Sequence, residues 1–273
     1  MNTGIEKIFA QKVNVYVKRK RMDTIRKHFD RLYFIGDTHA KNMGIGKWIR
    51  SAGGNGLHKK AAIHVGDFGI GFKNSDEDEL ELRALNTILI EHRIYLFILR
   101  GNHDDPKWFD NSNPVSNITF IKDHTLLEFA LTDKNEPVKI YCNGGAISID
   151  RTHRVENRNY WVDEKFTCPS DSELLEIPTD LDIIVTHNRP LGCHPTVYNK
   201  AVMQWCWNDD QLDFDLRKEQ KEMKRMFDSI RKRNNIRNNI LHYFGHYHWS
   251  HKERIGDIAH ITLAMKEVAE YRH

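Results

Sequence analysis

Seven side chains with oxygen or imidazole donors stand just behind short apolar runs: Asp37, His39, Asp67, Asn102, His187, His246 and His248. No cysteine stands among them, so the set suits divalent cations held in mixed imidazole and carboxylate shells rather than a thiolate site. Seven donors are too many for one tetrahedral zinc ion. They suit two cations that share a carboxylate and leave a water between them, an arrangement that makes a nucleophile from water near neutral pH.

Such donors must be carried to one place by the chain. Residues 32–35, 61–65, 94–99, 181–185 and 240–244 are apolar runs rich in β-branched and aromatic side chains. Each is stopped by Gly or polar residues, the pattern of a buried strand followed by a loop. Helical patterns over 41–52 and 75–92 separate the first three, the second opening on Asn74 or Ser75 with Asp76, Glu77, Asp78 and Glu79 in its first turn. Carboxylates there suit the helix dipole. Strand–helix–strand order predicts right-handed crossovers and parallel pairing. Parallel strands deliver their C-terminal ends to one rim, the usual crevice of open α/β sheets. Beyond Asp104 the segments 117–121, 126–131 and 138–142 read as short strands in antiparallel or mixed pairing, 209–233 as a long charged helix, and 258–263 as a closing strand. The expected organisation is a segment 1–30 of open role, then a single domain over 31–273.

Read in order, the loops are GDTH (36–39), GDFG (66–69), GNHD (101–104), VTH (185–187) and GHYH (245–248). This series resembles the calcineurin-like metallophosphoesterase superfamily, closest in pattern to its small bacterial and phage members. The resemblance runs from Gly36 to His248. It implies an α/β fold of four layers, an α/β/β/α sandwich with two mixed β-sheets. It also implies that Asp37, His39 and His248 hold one metal, that Asn102, His187 and His246 hold the other, and that Asp67 bridges them. His103 would face the phosphate and protonate the leaving oxygen, and Asp104 would fix the His103 imidazole. Ala40 stands where many members carry glycine, and the second motif lacks the Asp-Arg-Gly tail of the phosphoprotein phosphatase branch. The implied cofactors are two divalent ions, manganese first, with iron, zinc or magnesium as alternatives. The cations would neutralise the phosphate and supply the hydroxide that attacks phosphorus in line, while Arg100 and Arg189 are candidates to contact phosphate bidentately.

The remaining features narrow the classes. With 273 residues, 40% hydrophobic and 29% charged, the chain has the apolar material for a core, and disorder is excluded. No apolar run approaches the ~20 residues that span a bilayer. The four cysteines show no CxxC spacing, and with no export signal in the first residues they predict free thiols in the cytoplasm. A net charge of +3 does not by itself argue for nucleic acid. Arg217–Arg237 nevertheless holds nine basic residues against three acidic ones, and Lys18–Arg21 adds a second run. A basic stripe could guide an anionic polymer, or could be a solvated helix face. The aromatic clusters at Tyr160–Trp161 and Trp205–Trp207 could stack a base or plug a core. The 143–150 stretch, followed by Arg151 and Arg154, could orient substrate or the ligand histidines at the rim, or simply pack. His64 lies inside a strand and reads as a satisfied core histidine; His194, His242 and His251 are near proposed ligands without belonging to a motif. Hydrolysis of a phosphomonoester or phosphoprotein is the favoured reading. A phosphodiesterase or nuclease is the alternative, and a binding module that lost its chemistry is disfavoured because no donor is missing.

Overall fold

A computed structural model describes residues 22–196, 200–233 and 239–272. The Lys18–Arg21 run and residues 234–237 of the basic stretch lie outside the described residues. Twelve strands form two mixed sheets among these residues. The smaller, in the order β12-β2-β3-β4-β5, comprises Val268–Glu270, Arg31–Ile35, Lys60–His64, Ile94–Ile98 and Ile118–Phe120. The larger, β1-β6-β7-β8-β9-β11-β10, comprises Asp23–Phe29, Thr125–Leu131, Val138–Cys142, Ile183–Val185, Ile240–Phe244, Ile258–Thr262 and His251–Ile255.

Strand alternation explains the layering, because successive side chains point to opposite faces. Leu32, Phe34, Ile63 and Phe97 of the smaller sheet meet Leu127, Phe129, Ile140, Ile183 and Tyr243 of the larger in one core. Phe34 stacks on Tyr243 with centroids 3.7 Å apart. The opposite faces are covered by helices. Tyr33, Ile35, Leu96 and Ile98 pack under α1 (Ile45–Ser51) and α2 (Ser75–Glu91) through Ile45, Ile49, Leu82, Leu85 and Leu89. Tyr141, Ile184 and Ile240 pack under α3 (Asp171–Leu174) and α5 (Leu212–Arg233) through Leu174, Met223, Met226, Phe227 and Ile230. The result is the α/β/β/α sandwich with two mixed sheets.

Local chemistry sets the ends of these elements. Asn74 caps α2 by accepting from the Glu77 amide at 3.0 Å, a contact that contributes about 1 kcal/mol. The expected 209–233 helix starts later, at Leu212, because Asp209 turns the chain and accepts from the Gln211 amide. A separate helix, α4 (Lys200–Asn208), precedes it. The 41–52 pattern opens as a 3-10 turn over Asn42–Gly44 before α1 begins. Residues 23–29, read in the sequence as part of a segment of open role, form a strand parallel to β6. In the smaller sheet β2, β3, β4 and β5 pair in parallel, as the crossovers require.

Candidate metal centre

The C-terminal ends of β2, β3, β4, β8 and β9 open on one rim. There the backbone is strained: His39, Ala40, Asp67, His246 and His248 have φ of 46°, 62°, 57°, 68° and 53°. Non-glycine residues in this region cost roughly 1–3 kcal/mol each and cluster at functional sites. Glycine permits the close approach of these loops, as two positions show. A Cβ on Gly245 would collide with Asp37 Oδ1, and one on Gly66 with the His187 ring.

The seven donors are brought together in two groups that meet at Asp67. Asp37, His39, Asp67 and His248 each offer a ligand atom within 4.8 Å of the others, and so do Asp67, His187 and His246. Asp67 Oδ2 lies 3.8 Å from His39 Nε2, and its Oδ1 lies 3.2 Å from His187 Nε2. The His39 and His248 Nε2 atoms are 2.9 Å apart, and His248 Nε2 is 3.2 Å from Asp37 Oδ2. Asn102 Oδ1 faces His187 Nε2 at 3.2 Å.

Surrounding hydrogen bonds aim these atoms. The His187 Nδ1–H donates to the Val65 carbonyl at 2.9 Å, which directs Nε2 inward. Asn102 Nδ2 donates to Ser148 Oγ at 3.0 Å, and that hydroxyl donates to Glu164 at 2.9 Å. The chain fixes the Asn102 amide with its oxygen toward the cluster. Burial pushes the Glu164 carboxyl up to about 8. The His246 amide donates to Asp37 Oδ2 at 2.9 Å, while Asp37 Oδ1 is buried with no hydrogen-bond partner. Burial alone would discharge His187, but Asp67 outweighs it and raises the imidazole to about 9. A hydrogen bond to Asp37 likewise raises His248. Buried carboxylates, an orphaned carboxylate oxygen and converging imidazoles are the environment that divalent cations satisfy, so these residues fit a metal pair.

Three residues are placed differently from the sequence expectation. Asp104 does not reach the His103 ring; its carboxylate gathers the amides of Phe68, Gly69, Ile70 and Gly101, stapling the second loop to the third. Burial and then Asp67 push it to about 6. Arg100 is buried, with its guanidinium on the carbonyls of Asp163, Glu164 and Lys165 and on Asp123. Arg189 is buried too, packed against the Tyr247 ring at 5.2 Å. Neither lines the cleft. The arginine that does is Arg154, whose Nη2 donates to His103 Nε2 at 3.0 Å while its Nε pairs with Asp150 at 2.7 Å. The sequence places Arg154 beside the 143–150 stretch but gives no sign that it reaches His103. Burial, followed by smaller effects including Arg154, lowers His103 to about 4.

His64 is a core histidine as expected but only half satisfied: its Nε2 bonds Thr38 Oγ1 at 2.9 Å while its Nδ1 is buried with no hydrogen-bond partner, and burial lowers it to about 3. The cleft above the cluster has a volume of about 480 Å³. Its floor is His39, Asp67, Asn102, His103, His246 and His248, and Ile149, Val202, Trp205 and Leu216 form an apolar wall. Trp161 instead packs beneath Phe72, which lies over His103. On α5, Arg217, Lys224 and Arg225 are held in ion pairs with Asp213, Asp228 and Asp171. No helix among the described residues is long and apolar enough to cross a membrane.

Comparison with curated proteins finds no match. Among solved structures, a phosphopantetheinyl hydrolase from Mycobacterium tuberculosis is similar at 15% identity and a TM-score of 0.39, over 87% of this chain and 90% of that one. A protein from Staphylococcus aureus, provisionally assigned as a 5′-nucleotidase, is similar at 12% identity and a TM-score of 0.48, over 89% of this chain. The chain spans about half (50%) of that protein's length. The family model described as calcineurin-like phosphoesterase matches residues 30–250. The chain therefore belongs to the calcineurin-like phosphoesterases and is a phosphoester hydrolase.

Proposed function

We propose that this hydrolase cleaves phosphomonoesters of roughly mononucleotide size, using two divalent cations with manganese as the working ion. Asp37, His39, Asp67 and His248 would hold one cation, and Asp67, Asn102, His187 and His246 the other. The observation that carries this reading is the Asp67 carboxylate, whose two oxygens face two separate histidine groups. Bound there, the cations supply charge neutralisation of the phosphate and an activated water.

The chain's own residues do the rest. Arg154 presents a guanidinium beside His103, at the position where a phosphate oxygen would be shared between them. His103 is kept neutral by burial with help from Arg154. An arriving phosphate dianion favours the imidazolium, since a nearby opposite charge stabilises the charged form. His103 can then donate its proton to the leaving oxygen. The apolar wall of Ile149, Val202, Trp205 and Leu216 would cover the leaving group.

The 480 Å³ cleft suits a small ester rather than a polymer, and the local ion pairs on α5 weaken the case for an anionic-polymer track. Four free thiols support a reducing cytoplasmic setting. The test is a comparison of p-nitrophenyl phosphate with bis-p-nitrophenyl phosphate under manganese, magnesium and zinc in turn. A monoester preference supports the proposal. A diester preference, with loss of nucleic-acid binding on neutralising Lys218, Lys221, Lys224 and Arg225, would establish the phosphodiesterase instead.

A further inference from the structure

A second constellation of imidazole and carboxylate groups lies outside the cleft. His194 follows β8 in a loop, while His251 and Glu253 stand two residues apart on β10, so strand geometry points both to one face of the sheet. One ligand atom from each of the three residues lies within 4.8 Å of the others. His194 is bonded to Glu253 twice, through Nδ1 to Oε2 at 2.8 Å and through its amide to Oε1 at 2.6 Å. The His194 and His251 rings are 5.2 Å apart. Trp249 stacks flat on His251, 4.4 Å away at 11°, which holds that ring in place. None of the three residues lines the catalytic cleft.

We propose that His194, His251 and Glu253 form a third metal site, selective for zinc, that clamps together two loops of the metal centre. Two imidazoles and one carboxylate are a zinc ligand set that leaves a position for water. The two imidazoles are borderline donors that favour zinc over manganese or magnesium. Metal ligands must be deprotonated to bind, so affinity for the ion falls in acid.

The position gives the site its consequence. His194 lies seven residues after His187, and His251 lies three residues after His248. An ion joining His194 to β10 therefore ties the segment that follows His187 to the segment that follows His246 and His248. Zinc acts here as a strut behind the cleft and takes no part in the chemistry.

Zinc content, measured by elemental analysis after chelator treatment and equilibration at micromolar free zinc, tests the proposal independently of turnover. Wild type is compared with His194→Ala and His251→Gln. The second variant leaves the His194–Glu253 contact intact, so a lost ion is not a lost fold. Both variants are expected to carry one zinc fewer per chain than wild type, and zinc is expected to raise the wild-type Tm more than theirs. Because the readout is a difference, it survives failure of the two-cation reading, which would lower all three counts together. Equal zinc content in wild type and both variants would overturn the third site.

Discussion

Two arginines illustrate how much the residue scale depends on folding. Arg100 precedes the Gly-Asn-His motif and looks placed for phosphate, yet its guanidinium is spent on three carbonyls and Asp123. Arg154 lies 51 residues from His103 and carries no motif, yet it touches that ring. Their substitutions should separate. If Arg154 contacts the substrate as proposed, Arg154→Ala removes a charged hydrogen bond worth ~1.5–3 kcal/mol, so kcat/KM should fall about 10- to 100-fold, with a smaller loss of stability than Arg100→Ala causes because Asp150 keeps access to water. Arg100→Ala leaves buried acceptors unpaired and should cost about 3 kcal/mol of stability, visible as a lowered urea midpoint. The reverse pattern would restore Arg100 as the phosphate contact. His103→Ala should keep both cations and lose about 10²–10⁴ in kcat. Full activity in that variant would remove the proton-donor assignment.

At the scale of elements, what the sequence makes legible is the strand whose apolar run is buried on both faces. β9 falls at 240–244 as expected, and β2, β3, β4 and β8 fall within a residue or two. Glycine and polar punctuation behind each run marks where the donors leave the sheet. The edge strands β1 and β10 are illegible for the complementary reason, since DTIRKHF and HKERI carry exposed polar faces and no continuous apolar run; β12, VAE, is too short at three residues to show a pattern. Glu164 is invisible for a different reason, since its bond to Ser148 arises only from tertiary packing.

One paired element makes a pH prediction. His242 on β9 and His260 on β11 are register partners whose Nδ1 atoms lie 2.8 Å apart beneath Phe227. Thr186 Oγ1 donates to the Asn188 carbonyl, so His242 Nε2–H donates to Thr186 and His260 Nδ1–H donates to His242. His242, with one nitrogen donating and the other accepting, is thereby neutral in the fold. Burial lowers His260 to about 4 and His242 well below its ordinary value. Unfolded histidines titrate near 6.5. Depressed folded values mean that the stabilisation is complete above about pH 6.5 and drains away as pH falls toward 4, at up to ~1.4 kcal/mol per unit for each group. Thermal melts from pH 7.5 to 5 should show a declining Tm, with a shallower decline in a His242→Leu/His260→Leu variant. An unchanged slope in that variant would place the acid sensitivity elsewhere.

For the whole molecule, the two-sheet sandwich does one thing: it brings five strand ends that span 212 positions, from Asp37 to His248, to a common rim. The strain at His39, Asp67, His246 and His248 is tolerated because the packed core over-determines those turns. If Asp67 joins the two groups, its loss cannot be confined to one of them. The direct measurement is manganese per chain, by elemental analysis after gel filtration, in wild type and Asp67→Asn. Two ions are expected in wild type and fewer than one in the variant, with the fold retained by circular dichroism. One ion in wild type, or two in a folded Asp67→Asn protein, would contradict it.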